Sequence, residues 1–532
     1  MSTVREATYE LWRRHGMTKM FGNPGSTELP MLADFPDDFE YFLGLHEGVA
    51  VSMADGYAQA SGRVGHVNLH TAPGLGNAMG AIYNAQANHT PLLVTAGQQV
   101  RAAITLQANL TNRNPATLAG SVVKWSYEPP RAADVPAALA RAIHLAAIAP
   151  RGPALVSIPM DDWDEEAPAD ATAHALARRV DGRAGASPEA VAALASRLAA
   201  AANPVLVAGP DIDASGGWKH AVALAEAQRL PVWAIPAVGG GRIGFPEDHP
   251  GFQGVLPPAI APLAETLTGH DLIVVVGAPI FSYYPHMPGD LLPAGAELVA
   301  ITSDPDEAAR APMGNAIVAD VGLTLAALAA AVGSSDRPPP ARREPPPEPP
   351  ESDPISGTEA MAVLARAFPE DGIVVFEAPS STLAMRSQLR ISRPGSFYYG
   401  TGNGLGFALP AAIGVQMAQP ERPVICVVGE GSAHYAITAL WSAVTYGVPV
   451  TFLVLRNSDY SILKWFAEIE GVEGAPGLDL PGLDTSAVAA GYGVPSQRVE
   501  GAEQLAAGLQ QALAADGPAL VEVGVAPGMW IA

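Results

Sequence analysis

Residues 424–441 read VICVVGEGSAHYAITALW: the apolar run Val424–Val428 turns on Gly429-Glu430-Gly431-Ser432 into an alanine-rich helical pattern. Five apolar residues bounded by glycine and followed by a helical period mark a strand–turn–helix unit of a buried parallel sheet. The glycines let another group approach the backbone closely, and a carboxylate at the end of an apolar strand needs a partner there. The helical stretch SAHYAITALWSAVTYG leads to a second strand, VPVTFLVL (448–455), which ends on Arg456-Asn457-Ser458-Asp459. In a parallel βαβ unit both strand ends lie on one edge of the sheet, so the spacing predicts Glu430 and Asn457 as neighbours.

The same alternation recurs along the chain. PLLVTAG (91–97) and PALVSIPM (153–160) lie in its first third, PVLVAGP (204–210) and DLIVVVGAP (271–279) in the middle, and GIVVFEAP (372–379) and PALVEVGVAP (518–527) in the last. Two stretches read as linkers. Apolar periodicity lapses from Met160 to Ala190, and the proline density of Ser334–Pro354 favours an extended spacer. The expectation is an α/β chain of three doubly wound parallel-sheet domains, at residues 1–180, 181–340 and 341–532.

Composition narrows the function classes. At 532 residues, 48% apolar and 16% charged, the chain is globular and too long for one core. A net charge of −23 argues against unaided binding to nucleic acid or an anionic membrane. The opening MSTVREATYELWRRHG reads as an amphipathic helix, and no run has the length of a membrane span. The single cysteine, Cys426, excludes an intramolecular disulfide and sits in an apolar strand, where a buried inert thiol is expected. A cytoplasmic protein is the resulting expectation.

On spacing alone, Glu430 stays open between two readings. One is a helix-start carboxylate favoured by the helix dipole. The other is a site in which Glu430, Asn457 and a carbonyl near Asp459 hold Mg²⁺ or Ca²⁺ while glycines and a helix N-terminus take phosphate oxygens. A second constellation bears on the choice. The turn-rich FGNPGSTELP (21–30) is followed by YFLGLHEGVAVSMADGYAQASG (41–62), which places Glu47 among apolar and small residues. Glu47 reads either as an exposed helix-start residue or as a desolvated carboxyl sharing a proton with a bound nitrogen base.

These segments, with VTAGQQ, VKWSYEP, EAARAPMG and GLGFALPAAIGVQ, resemble the thiamine-diphosphate-dependent decarboxylases that act on benzoylformate and similar 2-oxo acids, nearly end to end. The resemblance implies a pyrimidine-binding, a middle and a diphosphate-binding domain. It further implies a homotetramer with cofactor sites between subunits, a small-molecule 2-oxo acid substrate, and thiamine diphosphate with Mg²⁺ as cofactors. Carried over, Glu47 binds the aminopyrimidine, Ser26 the substrate carboxylate, and His70 moves protons. Asn23, Pro24, Gly25, Glu377, Gly400, Thr401, Asn403, Leu405, Gly429, Gly431, Ser432 and Tyr460 line the cofactor, with Leu405 under its bend. Glu430, Asn457 and the carbonyl of Asp459 ligate the metal. Leu110, Pro379, Tyr399, Ile462 and Phe466 form the substrate pocket.

The chain departs from that pattern at three places. The family's metal-binding Asp is Glu430, whose extra methylene moves the carboxylate by about 1.5 Å and favours a larger ion such as Ca²⁺ or Mn²⁺ unless the loop adjusts. The usual Asn-Asn pair is Arg456-Asn457. The second family histidine falls on Tyr284, with His286 two residues later, and Tyr284 is expected to face the site; a local loop shift would bring His286 in instead. The resulting expectation is non-oxidative decarboxylation of an aromatic 2-oxo acid. A carboligase of acetolactate synthase or benzaldehyde lyase type is the alternative, and a cofactor-binding subunit without turnover is a third. The motif VVGEGSAH has His434 where a dinucleotide fingerprint needs its third glycine, which counts against a flavin or nicotinamide enzyme.

Overall fold

The structure is a computed structural model describing residues 2–236 and 240–530. Three six-stranded sheets follow one another along the chain. The first contains β1 (Lys19–Gly22), β2 (Glu40–Leu43), β3 (Gly65–Leu69), β4 (Leu92–Gln98), β5 (Trp125–Tyr127) and β6 (Ala154–Pro159). The middle sheet contains β7 (Pro204–Ala208), β8 (Val232–Ala234), β9 (Phe252–Val255), β10 (Leu272–Val276), β11 (Glu297–Thr302) and β12 (Asn315–Val318). The last contains β13 (Ile373–Glu377), β14 (Phe397–Tyr399), β15 (Val424–Gly429), β16 (Val450–Arg456), β17 (Ser496–Val499) and β18 (Ala519–Gly524). Every strand pairing is parallel, and the central strands are buried on both faces because helices cover them.

The first and last sheets share one topology, β2-β1-β3-β4-β6-β5 and β14-β13-β15-β16-β18-β17. The middle sheet runs β12-β11-β10-β7-β8-β9, the order of a dinucleotide-binding fold. Winding reverses between β1 and β3, between β13 and β15, and between β7 and β10. At such a switch point the flanking connections diverge and leave a crevice beyond the carboxyl ends of the strands. Asn23–Gly25 and His70 follow β1 and β3. Glu377 ends β13, and Glu430 follows β15.

First and last units pack through the helices Glu47–Ser61 and Ala408–Ala418. A Cβ on Gly56 would lie 2.1 Å from the Ala411 carbonyl, and one on Gly414 would lie 1.9 Å from that of Met53. Only glycine permits this backbone approach. The N-terminal helix, Val4–Arg14, starts on a capping box in which Thr3 and Glu6 satisfy each other's backbone N–H.

Two local expectations change. The 160–190 stretch is not wholly a linker, since Trp163 is buried in the first unit's core, Asp162 pairs with Arg101 and a helix spans Ala169–Ala177. One buried aromatic anchors a segment whose overall pattern is polar. The single helix expected after Glu430 is two, Glu430–Tyr435 and Ala439–Thr445, broken where the Gly406 backbone packs beneath Tyr435 and Ala436. The proline-rich stretch 334–354 forms no helix or strand and is held against the middle unit by Arg337, which donates to the carbonyls of Leu198, Ala201 and Gln228. Among the described residues no helix is long and apolar enough to cross a membrane.

Candidate active site

Two clusters form at matching strand ends of the first and last sheets. In the first unit, the Asn23–Gly25 turn carries Glu28 inward, where it is 1% exposed. Glu28 Oε2 accepts from Gly25 N at 2.8 Å and lies 2.8 Å from His70 Nδ1, while its Oε1 accepts from Thr27 Oγ1 at 2.8 Å. With the proton on Nδ1, His70 donates to the Glu28 carboxylate, with Thr27 Oγ1 also 3.1 Å from Nδ1, and its Nε2 is left to face a ligand. Gly25 is obligatory, because a Cβ there would stand 2.2 Å from His70 Nδ1. Asn23 and Pro24 are half-buried beside it, and Ser26 is exposed at the tip of the turn.

Glu47 opens the helix Glu47–Ser61 and is buried. Its Oε2 accepts from Asn77 Nδ2 at 3.1 Å, while Oε1 has no hydrogen-bond partner among the described residues. Glu28, Thr27 and Asn77 join this candidate cluster and were not singled out from the sequence. Their signal was a glutamate inside a turn of small residues and an asparagine between glycine-rich turns in APGLGNAMG, neither of which is distinctive on its own.

In the last unit, Glu430 lies beside Asn457 as the βαβ argument predicts. Its Oε1 accepts from the N–H groups of Asn457 at 3.0 Å and Ser458 at 2.5 Å. The extra methylene relative to Asp is thus taken up by reaching the turn after β16, which leaves Oε2 to meet a ligand. Burial pushes this carboxyl above its ordinary range, against the lowering effect of those N–H groups. A desolvated carboxylate with one free oxygen suits a cation.

Asn457 is oriented by its Nδ2, which donates to Ser461 Oγ at 2.8 Å, and its Oδ1 accepts only from Asp459 N at 3.2 Å. The Asp459 side chain is spent on Lys464 at 2.9 Å and on the Ser461 hydroxyl, so its carbonyl, unpaired among the described residues, is the group available. Glu430, Asn457 and that carbonyl form a hard-oxygen set of the kind Mg²⁺ and Ca²⁺ take. Ser432 is buried in the first turn after Glu430, the Tyr460 ring packs against Gly431, and the space beside Gly429 is open.

The loop carrying Gly400, Thr401, Asn403 and Leu405 is fixed from the first unit. Asn88 Oδ1 accepts from Thr401 N and Oγ1 at 3.0 and 2.6 Å, and Asn84 pairs with the Gly404 backbone at 2.7 and 3.0 Å. Leu405 is half-buried next to Gly406. Glu377 supports the loop from below: its two oxygens accept from Gly406 N at 2.7 Å and Ala408 N at 2.8 Å. Burial pushes its pKa up to about 8. A carboxyl raised on folding contributes stability that is full below its ordinary 4.5 and lost as pH rises through about 8. The melting temperature of the unmodified chain relative to Glu377→Gln is therefore expected to fall by several degrees between about pH 5 and 9, checked by thermal melts across that range.

The apolar wall joins the middle and last units. The Tyr284 ring packs on Phe466, with centroids 4.6 Å apart and planes at 54°. Tyr284 nonetheless keeps 56% of its surface exposed. His286 is exposed and makes no hydrogen bond or ion pair among the described residues. Ile462 N donates to Ser380 Oγ at 3.1 Å, which brings it beside the turn of Pro379. Tyr399 is half-buried with its hydroxyl donating to Asn403 Oδ1 at 2.9 Å, and Leu110 is half-buried with φ at 69°.

Comparison with known proteins matches all three units. Residues 2–114 match the thiamine pyrophosphate enzyme N-terminal TPP binding domain, 191–328 the central domain, and 379–523 the C-terminal TPP binding domain. The chain belongs to the thiamine pyrophosphate enzymes. It is 52% identical over 524 residues to a benzoylformate decarboxylase of Pseudomonas aeruginosa, covering 98% of this chain and 99% of that one. Among solved structures it is similar to the thiamine diphosphate-dependent 4-hydroxybenzoylformate decarboxylase of Rhodococcus jostii RHA1, with a TM-score of 0.96, 47% identity and both chains fully covered. It is also similar to benzoylformate decarboxylase from Polynucleobacter necessarius, with a TM-score of 0.97, 39% identity and both chains fully covered. Membership in the thiamine pyrophosphate enzymes accounts for the matching topologies of the first and last sheets, since both carry TPP binding domains.

Proposed function

We propose that the chain is a thiamine-diphosphate-dependent decarboxylase that converts an aromatic 2-oxo acid, benzoylformate first, to the aldehyde and CO2 without oxidation. One geometric observation carries the reading. Glu47 and the Glu28–His70 pair occupy the strand ends of one sheet, and the oxygen set around Glu430 occupies the same strand ends of a second sheet with the same topology. Likeness to decarboxylases of benzoylformate and 4-hydroxybenzoylformate supports the substrate class.

Thiamine diphosphate, when bound, supplies the electron sink for the pair released with CO2. The chain's own groups do the rest. Glu47 Oε1 holds a proton shared with a ring nitrogen while Asn77 fixes Oε2. Ser26 Oγ donates to the substrate carboxylate, and His70 Nε2 passes a proton at the reacting carbon while Glu28 holds the imidazole through Nδ1. Glu430, Asn457 and the Asp459 carbonyl would hold Mg²⁺, and the same hard-oxygen set also admits Ca²⁺ or Mn²⁺.

Among the described residues no hydrogen bond or ion pair links Ser26, Glu28, Glu47, His70 or Asn77 to Glu430, Asn457, Asp459 or Tyr460. We infer that two copies of the chain within a homotetramer complete the site, each contributing one cluster. The exposed apolar side chains Leu29, Leu106, Leu463 and Ile469, on segments that carry site residues, support that assembly.

The deciding experiment is CO2 release from benzoylformate by metal-stripped protein, with thiamine diphosphate and Mg²⁺ added separately and together. Turnover only with both is expected; cofactor binding without CO2 release would overturn the reading. The aromatic wall makes its own prediction. Tyr284→Ala is expected to raise KM for benzoylformate about two- to tenfold, the worth of one aromatic contact, while His286→Ala changes kcat/KM less than about twofold. Steady-state kinetics check both, and a loss of orders of magnitude in His286→Ala would place that histidine at the reacting atoms.

A further inference from the structure

Three consecutive residues after the helix Met79–Ala87 reach into three units. Asn88 accepts from Thr401 of the last unit, and Thr90 Oγ1 donates to the buried Asp55 of the first at 2.6 Å. Between them His89 points into the switch-point crevice of the middle sheet. Its Nε2 lies 3.5 Å from Asp304 Oδ2, and its Nδ1 lies 3.7 Å from Asp211 Oδ1. Asp211 follows β7, and Asp304 and Glu307 follow β11. His89, Asp304 and Glu307 present ligand atoms that all lie within 4.8 Å of one another, on a cavity of about 450 Å³.

The chemistry of this crevice differs from that of a nucleotide site. Four carboxylates, Asp211, Asp304, Asp306 and Glu307, line the wall against two guanidiniums, Arg242 and Arg310, so the crevice has more acidic than basic side chains. One oxygen each of Asp304 and Glu307 is also held by neighbouring protein groups. Asp304 Oδ1 accepts from Asp306 N at 2.7 Å and Glu307 N at 3.3 Å, which leaves Oδ2 toward His89. Glu307 is 8% exposed and spends Oε2 on Thr302 Oγ1 at 2.8 Å. Among the described residues its Oε1 has no hydrogen bond, only Arg310 at 3.8 Å.

A separation of 3.5 Å from His89 Nε2 to Asp304 Oδ2 is beyond the ordinary hydrogen-bond range. It is close to the ~3.3 Å edge of a tetrahedron built on metal–ligand bonds of ~2.0 Å. Asp211 stands on the far side of the ring, where a carboxylate orients a ligating histidine through its Nδ1–H.

We propose that His89, Asp304 and Glu307 bind a divalent transition-metal ion, Zn²⁺ first, separate from the cation place at Glu430. One imidazole and two carboxylates suit Zn²⁺, with water completing its coordination. The ion joins the first unit to the middle one, and through Asn88 it steadies Thr401 in the loop that carries Leu405.

The test uses the untagged full-length chain, stripped with a chelator and dialysed against Zn²⁺ in excess Mg²⁺. Metal content by mass spectrometry is expected to show one retained Zn²⁺ per chain, unchanged in Glu430→Gln. Affinity is expected to fall at least about tenfold in Glu307→Gln and in Asp304→Asn, and Co²⁺ in the unmodified chain should give the visible bands of a four-coordinate ion. Zn²⁺ should also raise the melting temperature of the unmodified chain but not of Glu307→Gln. No retained Zn²⁺ in the unmodified chain, or equal retention in the variants, would overturn the proposal and leave His89 as an ion-pair clasp. The unmodified chain alone decides the matter if a variant does not fold.

Discussion

Glu47→Gln is expected to keep the fold and cofactor binding while lowering the rate of CO2 release about 10²–10⁴-fold, the span of a lost proton-transfer group. The geometry separates these effects. Glu47 makes no ion pair among the described residues, so losing its charge costs the helix it opens only the dipole interaction at its N-terminus, about 0.3–1 kcal/mol. Glutamine is nearly isosteric, and its carbonyl oxygen still accepts from Asn77 Nδ2. What disappears is a carboxylate oxygen that has no partner among the described residues and can hold a proton for a ring nitrogen. Thermal melts and quenching of tryptophan fluorescence by thiamine diphosphate check fold and binding; single-turnover CO2 release checks chemistry. A variant within about threefold of the unmodified rate would remove Glu47 from the mechanism.

Glu430→Gln has the second large effect, and it acts on stability in two opposite directions. The glutamine oxygen still accepts from Asn457 and Ser458, so the turn after β16 survives. The charge does not, and Mg²⁺-dependent binding of thiamine diphosphate is expected to weaken at least about a hundredfold, the upper end for losing even an indirect metal partner. Without cation the order reverses. Burial penalises the ionised carboxyl of Glu430, so the metal-free variant is expected to melt slightly above the metal-free unmodified chain at neutral pH. Adding Mg²⁺ and cofactor then raises the unmodified chain past it. Equal affinities in the two proteins would place the cation elsewhere.

Legibility in the sequence followed the range of the physics involved. The central strands could be read because burial on both faces requires unbroken apolar runs, as in Leu272–Val276 and Val424–Val428. Short strands at or near sheet edges, such as Trp125–Tyr127 and Asn315–Val318, carry no such run and were not legible. Glu430 and Asn457 could be paired in advance because one βαβ unit fixes both strand ends. The Glu28–His70 pair could not, since it depends on β3 lying beside β1 rather than beside β2, its predecessor in the chain.

By itself the sequence determined the three α/β units, the apolar strands that centre them, the family, and the candidates Glu47, His70, Glu430 and Asn457, because each rests on local pattern or on a motif. Tertiary structure alone decided that Tyr284 meets Phe466 across 182 residues, that Asn84 and Asn88 hold the Gly400–Leu405 loop from another unit, and that His89 enters the acidic crevice of the middle sheet. These contacts join surfaces of separately wound units. Periodicity records which face of an element is buried, but the partner of that face is chosen by the packing of whole units.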